Sequence, residues 1–299
     1  MMADTQDASG VQPSVAVIIP VFNDQAGINA CIAALERQSY PPGLLDIIVV
    51  DNGSDEPIRL PEASSLQARV IICDSPGAYA ARNAGIVVAA ADVLAFTDAD
   101  CVPAEGWIEQ GVAALRAGRS VVGGEVSMPL SARPTAVELY QVVTGFAQRE
   151  NIEMRGFTVT ANLFVRRDAI AEIGEFDTHL LSGGDREWSQ RATAAGYELN
   201  YAANAVVETH PRRTLRAAAR QARRVAGGRK TLRDDRNRRF RDAEIGSRRG
   251  ASASMLWILR HPELGWWDRL RVFAVASILY VIQIAESVRL ALGSKPERR

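Results

Sequence analysis

Asp98-Ala99-Asp100 sets two carboxylates at i and i+2 directly after an apolar run, residues 93–96. Such a pair can bracket a hard divalent cation, because Mg2+ or Mn2+ commonly takes one or two protein carboxylates and completes its shell with phosphate oxygens and water. An isolated Asp-x-Asp is a weak signal, since turns are built from the same residues. Three more polar clusters follow apolar runs, however. They are Pro20-Val21-Phe22-Asn23-Asp24 after residues 15–19, Asp51-Asn52-Gly53-Ser54-Asp55 after 46–50, and Asp74-Ser75-Pro76-Gly77 after 70–73. Carboxylates, amides and glycines at four successive strand ends point to one ligand-binding rim, since open α/β sheets bind ligands outside the carboxyl ends of their strands.

The four runs that must carry these clusters are short and continuously apolar, the form of strands covered on both faces. Residues 27–38 and 78–90 lie between them with helical length and spacing. Strand–helix alternation predicts an α/β fold, a mostly parallel sheet flanked by helices. Farther on, the patterns predict helices over 106–117 and 135–148, strands over 120–126 and 158–165, and a helix over 185–195 opened by Gly183-Gly184. A last short strand is expected over 206–210 and an Arg-rich helix over 215–230, followed by a polar connection to residue 250.

The chain of 299 residues is 47% hydrophobic and 23% charged, which excludes wholesale disorder, collagen-like fibres and a disulfide-dense mini-protein. Cys31, Cys73 and Cys101 are far apart and odd in number, so they read as thiols of a reducing compartment and not as a disulfide frame or zinc site. Residues 1–13 are polar, without the basic and apolar regions of a signal peptide, and read as a disordered tail. The net charge of zero hides an asymmetry: residues 1–210 hold 13 basic and 27 acidic residues, and residues 211–250 hold 15 and 4. Phe240 is the one aromatic residue in that basic stretch, so nucleic acid is not an expected partner, while phosphate ligands and anionic lipid are.

In order and spacing, VAVIIPVFND, IIVVDNGSDE, GAYAARNAG and VLAFTDAD resemble the nucleotide-sugar half of the inverting enzymes of glycosyltransferase family 2. ANLFVRRDAIAEIGEFD resembles that family's acceptor-side segment, and GGDREWSQRATAAGYEL its catalytic-base helix. The resemblance runs from Val15 to His210. It implies a GT-A fold, a nucleotide-diphosphate sugar donor with a UDP-sugar favoured, and Mn2+ or Mg2+ as cofactor. Carried over residue by residue, it implies that Pro20, Val21 and Phe22 line the nucleotide pocket and that Asp51 accepts a hydrogen bond from the base, such as uracil N3–H. Gly77 permits close backbone approach, and Arg82 faces the nucleotide or braces the pocket. Asp98 contacts ribose or metal, Asp100 ligates the metal that carries the diphosphate, and His210 completes the metal shell as in some related enzymes. Asp185 matches the Asp of the family's Glu-Asp motif and is the expected general base, with Glu187 the second candidate. Two positions depart from the pattern: Asn52 stands where the family has a second Asp, and Gly184 where the motif has its Glu. Structural readings compete at three positions, with Asp51 closing a turn with Ser54, Arg82 serving as an ion-pair partner, and Asp185 acting as a helix N-terminal acid.

Trp107 and Trp188 are candidate platforms for a sugar face, with core packing the competing reading. Of the arginines that open the basic stretch, Arg213 and Arg224 are candidates for clamping acceptor or diphosphate. Gln221-Ala222-Arg223-Arg224-Val225 resembles the Gln-x-x-Arg-Trp signature of processive polysaccharide synthases, with Val225 replacing the Trp, which implies addition of a single sugar. Residues 272–285 form a 14-residue apolar run, about 21 Å as a helix against roughly 30 Å of hydrocarbon core. The expectation is therefore peripheral membrane contact through 251–292, with Trp257, Trp266 and Trp267 among arginines. Packing on the catalytic domain or on a second subunit of a homodimer is the competing reading.

The resulting division is a tail (1–13), a GT-A catalytic domain (14–210, with its nucleotide-sugar half at 14–102 and acceptor half at 103–210), a basic helix and connection (211–250), and an apolar helical region (251–299). The implied activity is metal-dependent inverting transfer of one sugar to a glycan or lipid-linked acceptor, in polysaccharide or glycoconjugate biosynthesis. The implied place is the cytoplasm, at the inner face of the cell membrane. The main alternative is a non-catalytic nucleotide-sugar-binding protein of the same fold. A sugar nucleotidyltransferase ranks below it, because PVFNDQAG lacks a Gly-rich, basic phosphate loop.

Overall fold

Strand β1 (Val15–Val21) is buried along its whole length because it lies between two parallel neighbours, β2 (Leu45–Asp51) and β4 (Val93–Thr97). The β1–β2 ladder runs on to Val21 and Asp51, whereas the β1–β4 ladder ends at Ile18 and Phe96. Pro20, which has no N–H to give a ladder, lies past that point. Strand β3 (Gln67–Ile72) adds to β2, also in parallel. Chain order reverses at β1, which makes the crevice between the ends of β1 and β4 the switch point of this half of the sheet.

The structure is a computed structural model. It describes residues 12–61, 66–115, 120–180, 182–239, 258–262 and 264–294, with the backbone alone for 229–239. The full strand order is β3-β2-β1-β4-β7-β6-β8-β5. Strand β7 (Asn162–Arg166) runs antiparallel to β4 and to β6 (Ser120–Ser127), β8 (Glu198–Thr209) runs parallel to β6, and β5 (Cys101–Pro103) is antiparallel to β8. The parallel reading therefore holds for the first four strands and the β6–β8 pair. The helices are α1 (Gln25–Leu35), α2 (Ala78–Val88), α3 (Trp107–Ala114), α4 (Ala136–Thr144), α5 (Gln148–Arg155), α6 (Arg167–Ile173), α7 (Gly184–Ala194), α8 (Leu215–Arg239) and α9 (Trp266–Ala291).

Two compact units result. The first comprises residues 1–127, 147–178 and 184–209, and the second 128–146, 179–183 and 210–299. The first unit holds the whole sheet. Its core is the aliphatic interior of β1, β2 and β4 with Phe96, Phe164, Trp107 and Trp188, all fully buried. The second unit is built on α4, α8 and α9. Ala218, Ala219 and Ala222 on α8 pack with Val275 and Leu279 on α9 and Val137 on α4. Leu139 on α4 packs with Val272 and Ala276 on α9, and with Ile258. The run of alanines keeps α8 narrow on that side, so α9 can approach closely.

Several sequence readings change. The single helix expected over 135–148 is two, α4 and α5, parted at Gly145, whose backbone is extended. A Cβ there would meet the Met128 side chain and the Gln141 carbonyl. Strand β8 begins at Glu198, eight residues before the expected start, because its first half is mostly only half-buried and lacks the apolar signal. Strand β7 begins at Asn162 and not at residue 158, and β5 and α6 were not foreseen. Helix α8 continues through residues read as the start of a polar connection. Helix α9 has 26 residues and passes the length and composition test for a membrane span, so the length objection drawn from residues 272–285 does not hold for the whole helix. Residues 1–11 of the expected tail, 240–250 of the connection, and Trp257 lie outside the described residues.

Candidate active site

The loops after β1, β2 and β3 are tied together by side chains. Asn23 adopts a left-handed backbone (φ 53°), a conformation Asn tolerates better than most residues. Its N–H donates to Ser54 Oγ at 2.8 Å, its Nδ2 donates to Asp55 Oδ2 at 2.8 Å, and its Oδ1 accepts from the Asp55 N–H at 2.8 Å. Asp51 closes its own turn: Oδ1 accepts from Ser54 N–H at 2.9 Å, and Oδ2 from Ile58 N–H at 3.5 Å. These are the bonds of the turn reading that competed with base recognition. Asn52 Nδ2 donates to the carbonyls of Cys73 (3.0 Å) and Ser75 (2.7 Å), and its Oδ1 accepts from Gly77 N–H at 2.7 Å. A carboxylate could not donate the first two bonds. That requirement accounts for Asn at position 52. Gly77 has φ 120°, open only to glycine in practice, and leads into α2. Pro20 and Val21 are buried in β1, and Phe22 just beyond it is 38% exposed.

Helix α2 sends Arg82 and Asn83 into the first unit's interior. Asn83 makes two reciprocal bonds to Phe176, donating to its carbonyl at 2.8 Å and accepting its N–H at 3.0 Å. Arg82 Nη2 donates to Asp98 Oδ1 at 2.5 Å, so the ion-pair reading of Arg82 is realised. Burial works against the Arg82 charge, but Asp98 and then Asp185 favour it, and its proton is held more tightly than usual. Arg82 Nε is a buried donor with no protein partner, and a bound anion would satisfy it.

Asp185 sits in the first turn of α7, where helix amides favour an acid. Thr160 Oγ1 donates to its Oδ1 at 3.1 Å, and its N–H donates to the Tyr79 hydroxyl at 3.4 Å. Burial raises the Asp185 pKa above the ordinary carboxylate value; Arg82 and the two hydroxyls pull it down, Asp98 pushes it up, and the net direction is upward. Glu187, the second candidate base, is engaged otherwise: Arg191 binds it through two nitrogens at 2.7 and 3.1 Å while also donating to the carbonyls of Ile173 and Glu175. That arrangement ties α7 to the turn after α6.

Trp107 and Trp188 do not present a sugar platform. Both are fully buried, Trp107 Nε1 donates to Asn162 Oδ1 at 2.8 Å, and Trp188 Nε1 donates to the Gly174 carbonyl at 2.8 Å. Core packing takes both, since a large indole with a satisfied N–H is an efficient core residue. His210, Arg213 and Arg224 belong to the second unit. His210 is exposed, Arg213 faces the buried Glu138 at 3.5 Å, and Arg224 is exposed on α8. Gln221 of the expected Gln-x-x-Arg signature accepts from Gln141 Nε2 at 2.8 Å, a bond between α8 and α4.

Among the described residues, no group of three or more His, Cys, Asp or Glu side chains is arranged to hold a metal ion. Asp98 and Asp100 belong to the first unit and His210 to the second. Two carboxylates do remain at the end of β4, Asp98 with its side chain 35% exposed and Asp100 exposed. They fit a cation that draws most of its ligands from phosphate and water. Tyr79, Thr160, Asn83 and Phe176 were not read from the sequence as site residues. The signal for Tyr79 was its position three residues before Arg82, which places both on one face of a helix.

A parallel β3-β2-β1-β4 half with carboxylates at the switch point, followed by a mixed half that carries an acid on α7, has the arrangement of the GT-A fold. A solved structure with this fold is that of the mannosyltransferase PcManGT from Pyrobaculum calidifontis in complex with GDP-Man and Mn2+, with a TM-score of 0.56 over 95% of this chain and 80% of that one, at 18% identity. The sequence model for glycosyl transferase family 2 matches residues 16–174, and the chain belongs to that family. Among its relatives, the glycosyltransferase AglE of Haloferax volcanii is 39% identical over 222 residues, 72% of this chain and 73% of that protein. The pre-mycofactocin glycosyltransferase of Mycobacterium tuberculosis is 31% identical over 219 residues, 68% of this chain and 44% of that protein. The protein is thus an enzyme that transfers sugar.

Proposed function

We propose that the enzyme moves a single sugar, with inversion, from a nucleoside-diphosphate sugar to a hydroxyl of a glycan or lipid-linked acceptor, with Asp185 as general base. The observation that carries this reading is the Asp185 carboxyl, whose affinity for a proton is raised by burial and which shares Arg82 electrostatically with Asp98. In the proposed step the acceptor oxygen attacks the anomeric carbon as Asp185 takes its proton. The bond from that carbon to the diphosphate breaks on the opposite face, and the electron pair leaves with the nucleoside diphosphate. The Thr160 hydroxyl holds the carboxylate, the Tyr79 hydroxyl holds its backbone, and Arg82 supplies positive charge with one donor still unpaired. Asp100 and Asp98 are the residues that would hold a divalent cation, which, when bound, neutralises charge on the departing diphosphate. The PcManGT complex with GDP-Man and Mn2+ supports that assignment by analogy of fold.

The non-catalytic alternative was motivated by Asn52 and Gly184. Asn52 has a structural reason of its own, and Gly184 is accounted for below. The deciding measurement is release of nucleoside diphosphate from a panel of nucleotide sugars with acceptor extract, in Mn2+, Mg2+ or EDTA. Release from one donor, abolished by EDTA and lowered about 10²- to 10⁴-fold by Asp185→Asn, is the expected result. Undiminished turnover in Asp185→Asn would overturn the assignment of the base, and undiminished turnover in EDTA the role given to Asp98 and Asp100.

We further propose that the second unit meets an anionic lipid surface at the cytoplasmic face of a membrane. Helix α9 supports this: one stripe packs within the unit, yet Trp266, Leu270, Ile278, Val281, Ile284 and Val288 are exposed. A helix apolar on both its packed and its open sides calls for an apolar neighbour.

A further inference from the structure

The family's Glu-Asp motif is Gly184-Asp185 in this chain, and the structure supplies a physical reason. A Cβ built on Gly184 would lie 2.6, 2.7 and 2.9 Å from Cζ, Cε2 and Cε1 of Tyr79, inside any real carbon–carbon contact. The ring has little room to withdraw. It is buried, stacks on Phe176 at 5.9 Å between centroids, and has the Arg82 guanidinium 5.6 Å from its centre. Phe176 is itself held by the two bonds to Asn83, and packs edge-on against Phe96 at 5.6 Å and against Trp188 at 5.5 Å. Tyr79 therefore occupies the volume that any side chain at position 184 would need.

What the ring brings there is a hydroxyl. Tyr79 Oη accepts from the Gly184 N–H at 2.9 Å and, more weakly, from the Asp185 N–H at 3.4 Å. Two of the amides that a helix leaves open at its N-terminus are thus capped from another helix. Burial keeps the phenol protonated, so the cap is neutral.

We propose that Tyr79 is the positioning residue of the catalytic carboxylate: its hydroxyl caps the first turn of α7 at the Gly184 and Asp185 amides and so fixes where Asp185 stands, while its ring fills the place of the side chain that the family motif carries at position 184. This inference rests on the reading of Asp185 as general base. The groups that face Asp185 are Tyr79 and Arg82 from α2, Asp98 at the end of β4 and Thr160 before β7. Of these, Tyr79 is the one that bonds to the backbone amides of the 184–185 pair.

Two experiments test it. Tyr79→Phe keeps the ring and removes the hydroxyl. The expected result, well below the variant's melting temperature, is kcat lowered about tenfold, the equivalent of about one hydrogen bond, with the donor dissociation constant within twofold of the parent. Equal loss in donor binding, or no loss in kcat, overturns the proposal. The second is a double-mutant cycle read by thermal unfolding and independent of activity. Gly184→Ala should lower the melting temperature sharply in the parent and by much less in Tyr79→Ser, where the ring is gone. An equal penalty in both backgrounds would show that the ring does not set the glycine. If Asp185→Asn retains turnover, the base assignment fails, and the catalytic half of this inference fails with it. If Asp185→Asn is inactive and Tyr79→Phe behaves like the parent, this inference alone fails.

Discussion

A carboxyl group that must accept a proton at neutral pH is served by a raised pKa, and Asp185 obtains one mainly through burial. The consequence for rate and stability can be signed. A general base works only when deprotonated, so turnover should fall as the pH drops through a value above the usual carboxylate range, and Asp185→Asn should remove that limb along with the activity. Stability runs the other way. A carboxyl whose folded pKa lies above its unfolded value makes the folded state bind more protons, so it contributes stability at low pH that is lost as the pH rises through the folded pKa. Asp185→Asn should therefore melt no lower than the parent at pH 7, with the difference shrinking towards pH 4. A melting temperature that fell at pH 7 would mean that the carboxylate's bonds outweigh its burial. Much of this site was legible from residue types, because Asp51, Asp98, Asp100 and Asp185 each follow a strand or open a helix. Tyr79 and Thr160 were not: the one local mark of Tyr79 is its place three residues before Arg82, Thr160 has none, and both matter through contacts with a residue 106 and 25 positions away. Asn52 and Gly184 looked like defects in a motif and are instead matched to partners, three hydrogen bonds in one case and an aromatic ring in the other.

At the scale of elements, legibility followed burial. The strands β1, β2 and β4 were found within a residue or two at each end, since both faces are covered and the apolar signal is continuous. Half-exposed β8 and three-residue β5 carry little such signal. Helix α4 shows how a helix end is specified locally. Thr135 Oγ1 accepts from the Glu138 N–H at 3.2 Å, Glu138 Oε2 accepts from the Thr135 N–H at 2.8 Å, and the Thr135 hydroxyl donates to the Arg213 carbonyl at 3.1 Å. The last of these bonds joins the start of α4 to the segment that leads into α8. Thr135→Ala should weaken the first turn of α4 by about 1 kcal/mol, which is roughly a fivefold loss of hydrogen-exchange protection at its amides. Thr135→Ser should restore it. Unchanged protection in the alanine variant would mean that packing alone holds this end.

The whole chain separates its charges: an acidic body over residues 1–210, then a basic stretch over 211–250 in the unit that also holds α9. This distribution suits an enzyme that meets a negatively charged surface with one end only. Helix α9 could in principle cross a bilayer by length and composition, but two features favour lying in the interface. The uncharged part between Arg271 and Glu286 has 14 residues, about 21 Å, and its inner stripe is packed on α4 and on α8, whose open side carries Arg216, Arg220, Arg223 and Arg224. Flotation with vesicles separates the cases. The enzyme should rise with vesicles containing anionic lipid, bind neutral vesicles far less, and release at high salt, since basic residues near such a surface contribute about 1 kcal/mol each. Val281→Glu with Ile284→Glu, both on the exposed face, should loosen binding by a factor of at least about ten while leaving donor turnover in solution intact. Failure to float with anionic vesicles would dispose of membrane contact. Binding that resists alkaline carbonate would instead mean that α9 crosses the bilayer, and the acceptor would then be presented to an enzyme fixed in the membrane and not to one that docks and departs.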